Sequence, residues 1–274
     1  LEEHDTGTTK WKAIRPVSPY WFFKDEDSYG LQKYNNFFST NEIFTLKNTG
    51  VKTSLDNFVI DFEKQPLEVR IRQYRDDNLD DVFIKKVYRL EDKLSSKWFV
   101  TESRKKLQEE KDWEQYFMKI LYRPFDERWI YFHPSVVLRP RLEIMKHMLE
   151  PNLALIVARQ FSARKHFVVF ITDKLTEISS NPFASYILNP LYIYGDENNQ
   201  QQALLSSGDA IFRDKKSNIN QKFFGTLENI FNKRLNPKDI LCYIYAILYS
   251  NLYRKKYEEF LKIDFPKIPF TRDY

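Results

Sequence analysis

The run LYRPFDERWIYFHPSVVLRPRLEIMKH, residues 121–147, marks the point where the sequence turns from a charged, helical pattern to a β-rich one. Within it, the aromatic residues 129–132 predict a strand, and residues 140–149 predict a helix. Two apolar runs follow at 153–158 and 167–171, and both are typical of buried strands. Strands that alternate with helices pack most simply as a mixed sheet covered by helices. We therefore predict an α/β (mixed α+β) fold with a central mixed β-sheet and flanking helices.

The sequence before this run consists of two segments with different residue patterns. Residues 1–62 are aromatic and irregular, with a strand-like run at 58–62, and form the irregular or β-containing N-terminal part. Residues 63–121 combine dense charge with apolar residues at helical spacing, which predicts a helical insert. Residues 122–274 then form the mixed α/β core. We expect the three parts to make one module.

The end of the chain predicts a long helix. Asn236 is a suitable N-cap, and Pro237 suits the first helical position. An apolar stripe continues to about residue 262, so the helix is predicted over 237–262 with a break near Ser250. The preceding stretch 195–220 is polar and is predicted to be a mobile insertion.

Composition excludes several classes of protein. The chain has 274 residues, of which 42% are hydrophobic, and its six glycines include no G-x-G turn for a dinucleotide. The single cysteine, Cys242, lies in an apolar helical pattern, so we expect a buried structural thiol and a reducing compartment. No apolar run approaches the ~20 residues needed to cross a bilayer, and the acidic start is unlike a signal peptide. We expect a cytoplasmic protein with no membrane partner, cut from a longer polypeptide because no initiator methionine is present.

Positive charge is concentrated around the quoted run. It contains Arg123, Arg128, Arg139, Arg141 and Lys146, and arginine suits phosphate oxygens and the guanine edge. Residues 139–166 hold six lysines and arginines against two glutamates, whereas the whole chain has a net charge of only +5. Such a field attracts a polyanion such as nucleic acid. The alternative, that these cations form a solvated helix face, stays open on charge alone.

Catalytic motifs are incomplete in this sequence. An adenine methyltransferase needs a glycine loop for S-adenosylmethionine and an Asn-Pro-Pro-Tyr type motif, and the turns at 18–21 and 181–183 each lack the second proline. The triplet 109–111, Glu-Glu-Lys, lies in a charged helical stretch and makes a weak nuclease motif. The four histidines are scattered and give no zinc-ligand spacing. We expect no catalytic residue, metal or cofactor in this chain.

The order of several short motifs resembles the C-terminal target recognition (specificity) domain of type ISP and related type IIG restriction-modification enzymes. The resemblance begins with Trp11, Ile14 and Pro16 and ends near Pro269, so it spans nearly the whole chain. The matching pieces are residues 50–53, Tyr122-Arg123-Pro124-Phe125-Asp126-x-Arg128, 139–141, 145–148, 159–160, 169–173, 190–194, 239–246, 260–266 and 268–269.

The resemblance implies that the chain recognises a specific sequence in double-stranded DNA. It also implies a parent protein that is an adenine-N6 methyltransferase and endonuclease, uses S-adenosylmethionine and Mg²⁺, and serves phage defence in a bacterial or archaeal cytoplasm. The methyltransferase and nuclease domains would lie upstream in the same polypeptide. The stretches 75–113 and 195–220 depart from the family pattern, so the recognised bases are not implied.

Nine residues are candidates for DNA contact. Arg159 and Gln160 follow a predicted strand and carry side chains that read guanine and adenine, although they equally suit tying the loop to the sheet. Arg164 and Lys165 suit phosphates. An alternative function is a non-catalytic interaction or scaffold module whose arginines are paired internally, as Asp126 with Arg128 or Glu143 with Arg139 or Lys146. The candidates are Arg123, Arg128, Arg139, Arg141, Lys146, Arg159, Gln160, Arg164 and Lys165.

Overall fold

Short strands and helices alternate along the chain, which confirms the mixed α/β class predicted from the sequence. The computed structural model describes residues 7–11, 13–16, 18, 21, 33–92, 98–160, 169–177, 186–195 and 215–270. The strands are β1 (Phe38–Ser39), β2 (Asn48–Thr49), β3 (Ile60–Asp61), β4 (Phe117–Arg123), β5 (Asp126–Tyr131), β6 (Ala154–Ala158), β7 (Val169–Thr172), β8 (Leu175–Thr176), β9 (Tyr186–Pro190), β10 (Tyr192–Tyr194), β11 (Lys215–Ser217) and β12 (Lys267–Ile268).

The helices are concentrated in the first half and at the end of the chain. They are α1 (Thr40–Ile43), α2 (Asp56–Val59), α3 (Lys64–Arg75), α4 (Asp81–Tyr88), α5 (Val100–Glu109), α6 (Leu142–Met145), α7 (Gln221–Phe231), α8 (Pro237–Tyr249), α9 (Asn251–Lys256) and α10 (Glu258–Leu261), with 3₁₀ turns at Trp113–Tyr116 and Lys146–Met148. None of the helices in these described ranges is long and apolar enough to span a membrane.

The strands in these described ranges form two four-stranded sheets and two short pairs, so the central mixed sheet of the prediction is one of two sheets. One sheet has the order β2-β9-β6-β7 and is antiparallel throughout. The other has the order β3-β5-β4-β8 and is mixed, because β4 and β8 run parallel. The division arises because β5 pairs with its own hairpin partner β4, whereas β6 pairs with β7 and β9.

The segment 48–53 joins the two sheets. Its first residues form β2, which pairs with β9 of the antiparallel sheet. The amide of Val51 then donates to the carbonyl of Thr176 in β8 at 2.7 Å. Lys52 and Arg139 exchange backbone hydrogen bonds of 3.0 and 2.9 Å. Both flanking residues, Val51 and Thr53, are fully buried, so the segment is held on two sides.

A buried asparagine ties the start of the chain to the second half. The amide nitrogen of Asn218 donates to the carbonyls of Leu46 and Pro190, each at 2.7 Å. Its side-chain oxygen accepts from the Thr45 hydroxyl and the Leu46 amide, also at 2.7 Å. All the hydrogen-bonding capacity of this side chain is used away from water, as burial of an amide requires.

Several local predictions need correction. Only Ile60–Asp61 of the strand-like run 58–62 is a strand, because Phe58 and Val59 lie in α2. The helical segment 63–121 contains α3 to α5, but β4 begins inside it at Phe117. Cys242 is exposed rather than buried, because it lies on the solvent side of α8.

The C-terminal helix and the polar segment 195–220 also differ from the prediction in detail. The C-terminal helix begins at Pro237 with a capping box between Asn236 and Asp239, as predicted. It breaks at Ser250, as predicted, and again at Tyr257, which gives α8, α9 and α10. The predicted insertion 195–220 lies partly outside the described residues, and its last part forms β11 against β10.

His133 gives a pH dependence to folding stability. Its Nδ1 accepts a hydrogen bond from the Ser135 amide at 3.1 Å, and burial lowers its pKa to about 4 although Glu110 opposes the shift. The unfolded chain binds a proton near pH 6.5, whereas the folded chain does not until about pH 4. Folding stability should therefore fall by up to about 3 kcal/mol as pH decreases from about 6.5 to 4.

This loss can be measured by urea unfolding across that range. His133→Asn keeps an acceptor near the position of Nδ1 but does not titrate there. The free energy of unfolding of this variant should decrease less on acidification than that of the wild type. Identical pH profiles would contradict the role of His133 as the titrating group.

Candidate nucleic-acid interface

The β4–β5 hairpin pairs its two arginines internally. The Arg123 guanidinium lies 2.9 Å from the buried carboxylate of Glu177 and 3.9 Å from the centre of the Tyr122 ring. Arg128 binds the Asp126 carboxylate through two nitrogens, with the shortest contact at 2.7 Å. Its guanidinium also lies 4.1 Å from the Tyr122 ring centre. This is the Asp126–Arg128 pair expected for a scaffold role, and it lowers the pKa of Asp126.

Tyr122 anchors this hairpin to the segment that joins the sheets. Its hydroxyl donates to Asp56 Oδ2 at 3.0 Å, and the other carboxylate oxygen of Asp56 accepts from the Thr53 hydroxyl. Burial, and secondarily the carboxylate of Asp56, raises the pKa of Tyr122. The two hairpin arginines therefore stack on a ring that is itself fixed in place.

The tip of the hairpin carries an exposed aromatic side chain. Phe125 follows Pro124 in the turn between paired Arg123 and Asp126, and its φ is +63°. A bulky residue in this left-handed region is uncommon and strained. The side chain is 90% exposed, and its one described ring contact is edge-on to Phe170 at 5.5 Å.

Arg139 and Arg141 differ from the hairpin arginines. Arg139 is exposed, and Arg141 is the N-cap residue of α6 with a φ of +53°. Among the described residues, neither forms an ion pair, and the Nε of Arg141 is buried without a hydrogen-bond partner. The Arg139–Glu143 pair considered from the sequence is not among them, and Glu143 accepts a hydrogen bond from the side-chain amide of Asn48 at 2.6 Å. Lys146 lies half-buried on the following 3₁₀ turn.

Arg159 and Gln160 connect the end of β6 to the C-terminal segment. The Arg159 Nε lies 3.1 Å from Asp264 Oδ1, and Gln160 donates to the Ile263 carbonyl at 2.7 Å. These contacts are the ones expected if the two residues tie the loop to the fold. The ion pair is exposed, so it contributes little stability and competes weakly with another ligand. Arg164 and Lys165 lie outside the described residues.

Lys52 is a surface cation that the sequence analysis did not select. It is exposed and lies directly opposite Arg139, a residue far along the chain. It also lines a groove of about 510 Å³ together with Arg89, Asn57 and Tyr88. Only the motif at 50–53 pointed toward this position, because cross-strand neighbours cannot be read from charge in the sequence.

The comparison with protein families gives one match that covers most of the chain. A model described as the Type ISP C-terminal specificity domain matches residues 42–274. The chain belongs to this family. The match begins just before the segment that joins the sheets and covers Lys52, the hairpin and all nine predicted contact residues. No curated protein matches the chain.

Three solved structures share the fold of this specificity domain. The first is a cryo-EM DrdV–DNA complex, with a TM-score of 0.67, 19% identity, and coverage of 99% of this chain and 27% of that one. The second is the ATP-dependent Type ISP restriction-modification enzyme LlaBIII bound to DNA, with a TM-score of 0.61, 21% identity and coverage of 87% and 15%. The third is a nuclease-deletion mutant of the Type ISP enzyme LlaGI with a DNA substrate mimic, with a TM-score of 0.57, 19% identity and coverage of 97% and 20%. The specificity domain thus spans about a quarter or less of each of these chains.

The internal pairing of Arg128 predicts a structural role in the specificity domain. Arg128→Ala removes a two-nitrogen contact to Asp126 and stacking on Phe62 and Tyr122, so it should lower the free energy of unfolding by about 1–2 kcal/mol. Arg139→Ala is the matched control, with an expected change of about 0.5 kcal/mol or less. Denaturant unfolding measures both. Equal losses in the two variants would contradict this division between paired and available arginines.

Proposed function

We propose that this chain reads a short asymmetric sequence in double-stranded DNA on behalf of a restriction-modification enzyme. The match to the specificity-domain family over residues 42–274 carries the proposal. The DNA in the DrdV and LlaBIII structures and the substrate mimic with LlaGI support it. The exposed Arg139 and the neighbouring Arg141 supply groups near α6 that suit a polyanion.

The proposed parent enzyme is an adenine-N6 methyltransferase and endonuclease in a bacterial or archaeal cytoplasm. Its S-adenosylmethionine and Mg²⁺ would be held by other domains of the same polypeptide. The donor set here does not fit either group: across the described ranges no three His, Cys, Asp or Glu side chains are placed to hold a metal ion, and the sequence has no glycine loop. The task left to this chain is to bind the target duplex and fix its position for the methyltransferase.

Phosphate contacts would set that position, and base contacts would select the sequence. Arg139, Arg141 and Lys146 are the phosphate candidates, because Arg139 and Arg141 immediately precede α6 and Lys146 immediately follows it. Arg159 and Gln160 remain candidates for base contact, since their present partners are on the exposed surface. We no longer consider Arg123 and Arg128 candidates for DNA contact, because their guanidinium groups bind the carboxylates of Glu177 and Asp126.

Salt-dependent binding tests the proposal. If Arg139, Arg141 and Lys146 each neutralise one phosphate, the logarithm of affinity should fall with the logarithm of salt at a slope of about −2.7 or steeper. Fluorescence titration of a labelled random-sequence duplex measures this slope. Selection from a random pool should then enrich one asymmetric sequence. Absence of binding at low salt, or binding without any enriched sequence, would contradict sequence recognition by this chain.

A second function is favoured for the β4–β5 hairpin. The hairpin cations Lys119, Arg123 and Arg128 and the neighbouring Lys174 are matched in number by the carboxylates of Asp126, Glu127, Asp173 and Glu177, so this region has no excess of positive charge. Its exposed Phe125 is typical of a protein contact, where aromatic residues are enriched. We propose that the hairpin contacts another domain of the parent polypeptide.

Replacing Phe125 tests whether the tip of the β4–β5 hairpin takes part in DNA binding. Phe125→Ser should leave the DNA affinity of this chain within about twofold of the wild type, because the tip lacks the cations that bind a duplex. The same titration measures it. A loss of tenfold or more in a folded variant would instead mean that Phe125 inserts between bases, as apolar wedges do in bent DNA.

A further inference from the structure

The side chains of Lys52 and Arg139 lie side by side on the protein surface. Their backbones exchange two hydrogen bonds, so the residues are directly opposite in an antiparallel pair. Opposite residues in such a pair project from the same face, with Cα atoms about 5.5 Å apart. Both residues are exposed. The fold therefore holds two positive charges next to each other.

This arrangement opposes folding unless an anion is bound. Like charges directly opposite on a sheet face are destabilising. In the part of the chain that the structure describes, no carboxylate forms an ion pair with either residue. Two of the three carboxylates that line the adjoining groove are otherwise engaged: Asp56 accepts from Tyr122, and Glu177 binds Arg123. The local pairing thus leaves these two charges for an external ligand.

The backbone beneath the two side chains is fixed. Val51 and Thr53 flank Lys52 and are fully buried, while Val136 and Val137 precede Arg139 and are also buried. The bond from Val51 to Thr176 attaches the same segment to β8. Cations on such a support are positioned before a ligand arrives, which reduces the ordering cost of binding.

The adjoining groove limits the positively charged surface. Lys52 and Arg89 line this groove of about 510 Å³ together with the acidic residues Asp56, Glu91 and Glu177. Arg89 is exposed and sits at the end of α4 with a φ of +53°. The three carboxylates of the groove outnumber its two cations, so a phosphate backbone that contacts Lys52 is not expected to run along it.

We propose that Lys52 and Arg139 form a clamp for the phosphate backbone of duplex DNA. This inference rests on the proposed function and adds the site that fixes the duplex. The two cations bind two successive phosphates, and they supply affinity without reading bases. Specificity then depends on other residues.

The test compares the double variant Lys52→Gln/Arg139→Gln with two controls in salt titrations of a labelled duplex. The double variant should reduce the magnitude of the salt slope by about 2, since each lost phosphate contact contributes about 0.9. Lys52→Arg/Arg139→Lys keeps both charges and should keep the slope. Lys238→Gln/Lys255→Gln removes two exposed charges from α8 and α9 and should also keep it.

Thermal unfolding without DNA distinguishes binding from structural support. The double glutamine variant should melt no lower than the wild type, because it removes a repulsion. A drop of several degrees would assign the two residues to the fold. Added duplex should raise the melting temperature of the wild type more than that of the variant. A variant-dependent rise with inorganic pyrophosphate, but not with duplex, would overturn the assignment to DNA.

The outcomes separate the two proposals. If the wild type binds duplex and the double glutamine variant has the same slope, the clamp is wrong and the proposed function stands. An equal change in the Lys238/Lys255 control also overturns the clamp. If the wild type binds no duplex at low salt, both the clamp and DNA recognition by this chain are overturned.

Discussion

The two-sided attachment of residues 48–53 is the constraint on which the arrangement of this protein depends. Asn48 and Thr49 pair with β9, and Val51 then bonds to β8, so one short segment belongs to the edge of both four-stranded sheets. Lys52 takes its neighbour from the connection that leaves β5. The surface at Lys52 is consequently built from parts of the chain that are far apart in sequence. Its geometry should change little unless the sheets separate.

Internal acids decide which of the cations remain available to a ligand. Arg123 and Arg128 look equivalent to Arg139 and Arg141 in the sequence, but Glu177 after β8 binds Arg123 and Asp126 in the hairpin binds Arg128. A guanidinium that binds a partly buried carboxylate and stacks on a ring would lose those contacts on turning to DNA. Arg139 loses no described ion pair on doing so. The hairpin and the α6 connection thus suit different partners, although they adjoin in the sequence.

Local signals in the sequence predicted much of the fold. The strands at β5 and β6 followed from aromatic and apolar runs, and the start of α8 followed from Asn236 and Pro237. The division into two sheets could not be predicted, because it depends on which strands pair. The opposition of Lys52 and Arg139 and the four bonds of Asn218 are also contacts between distant residues. Motif resemblance indicated the family, whereas it could not separate paired arginines from available ones.

The most direct measurement is chemical footprinting of lysines and arginines in the presence and absence of duplex DNA. Acetylation labels lysine, phenylglyoxal labels arginine, and mass spectrometry reads each position. Bound duplex should protect Lys52 and Arg139, while Lys238 and Lys255 on the C-terminal helices stay reactive. Unchanged reactivity of Lys52 and Arg139 under saturating duplex would contradict the account.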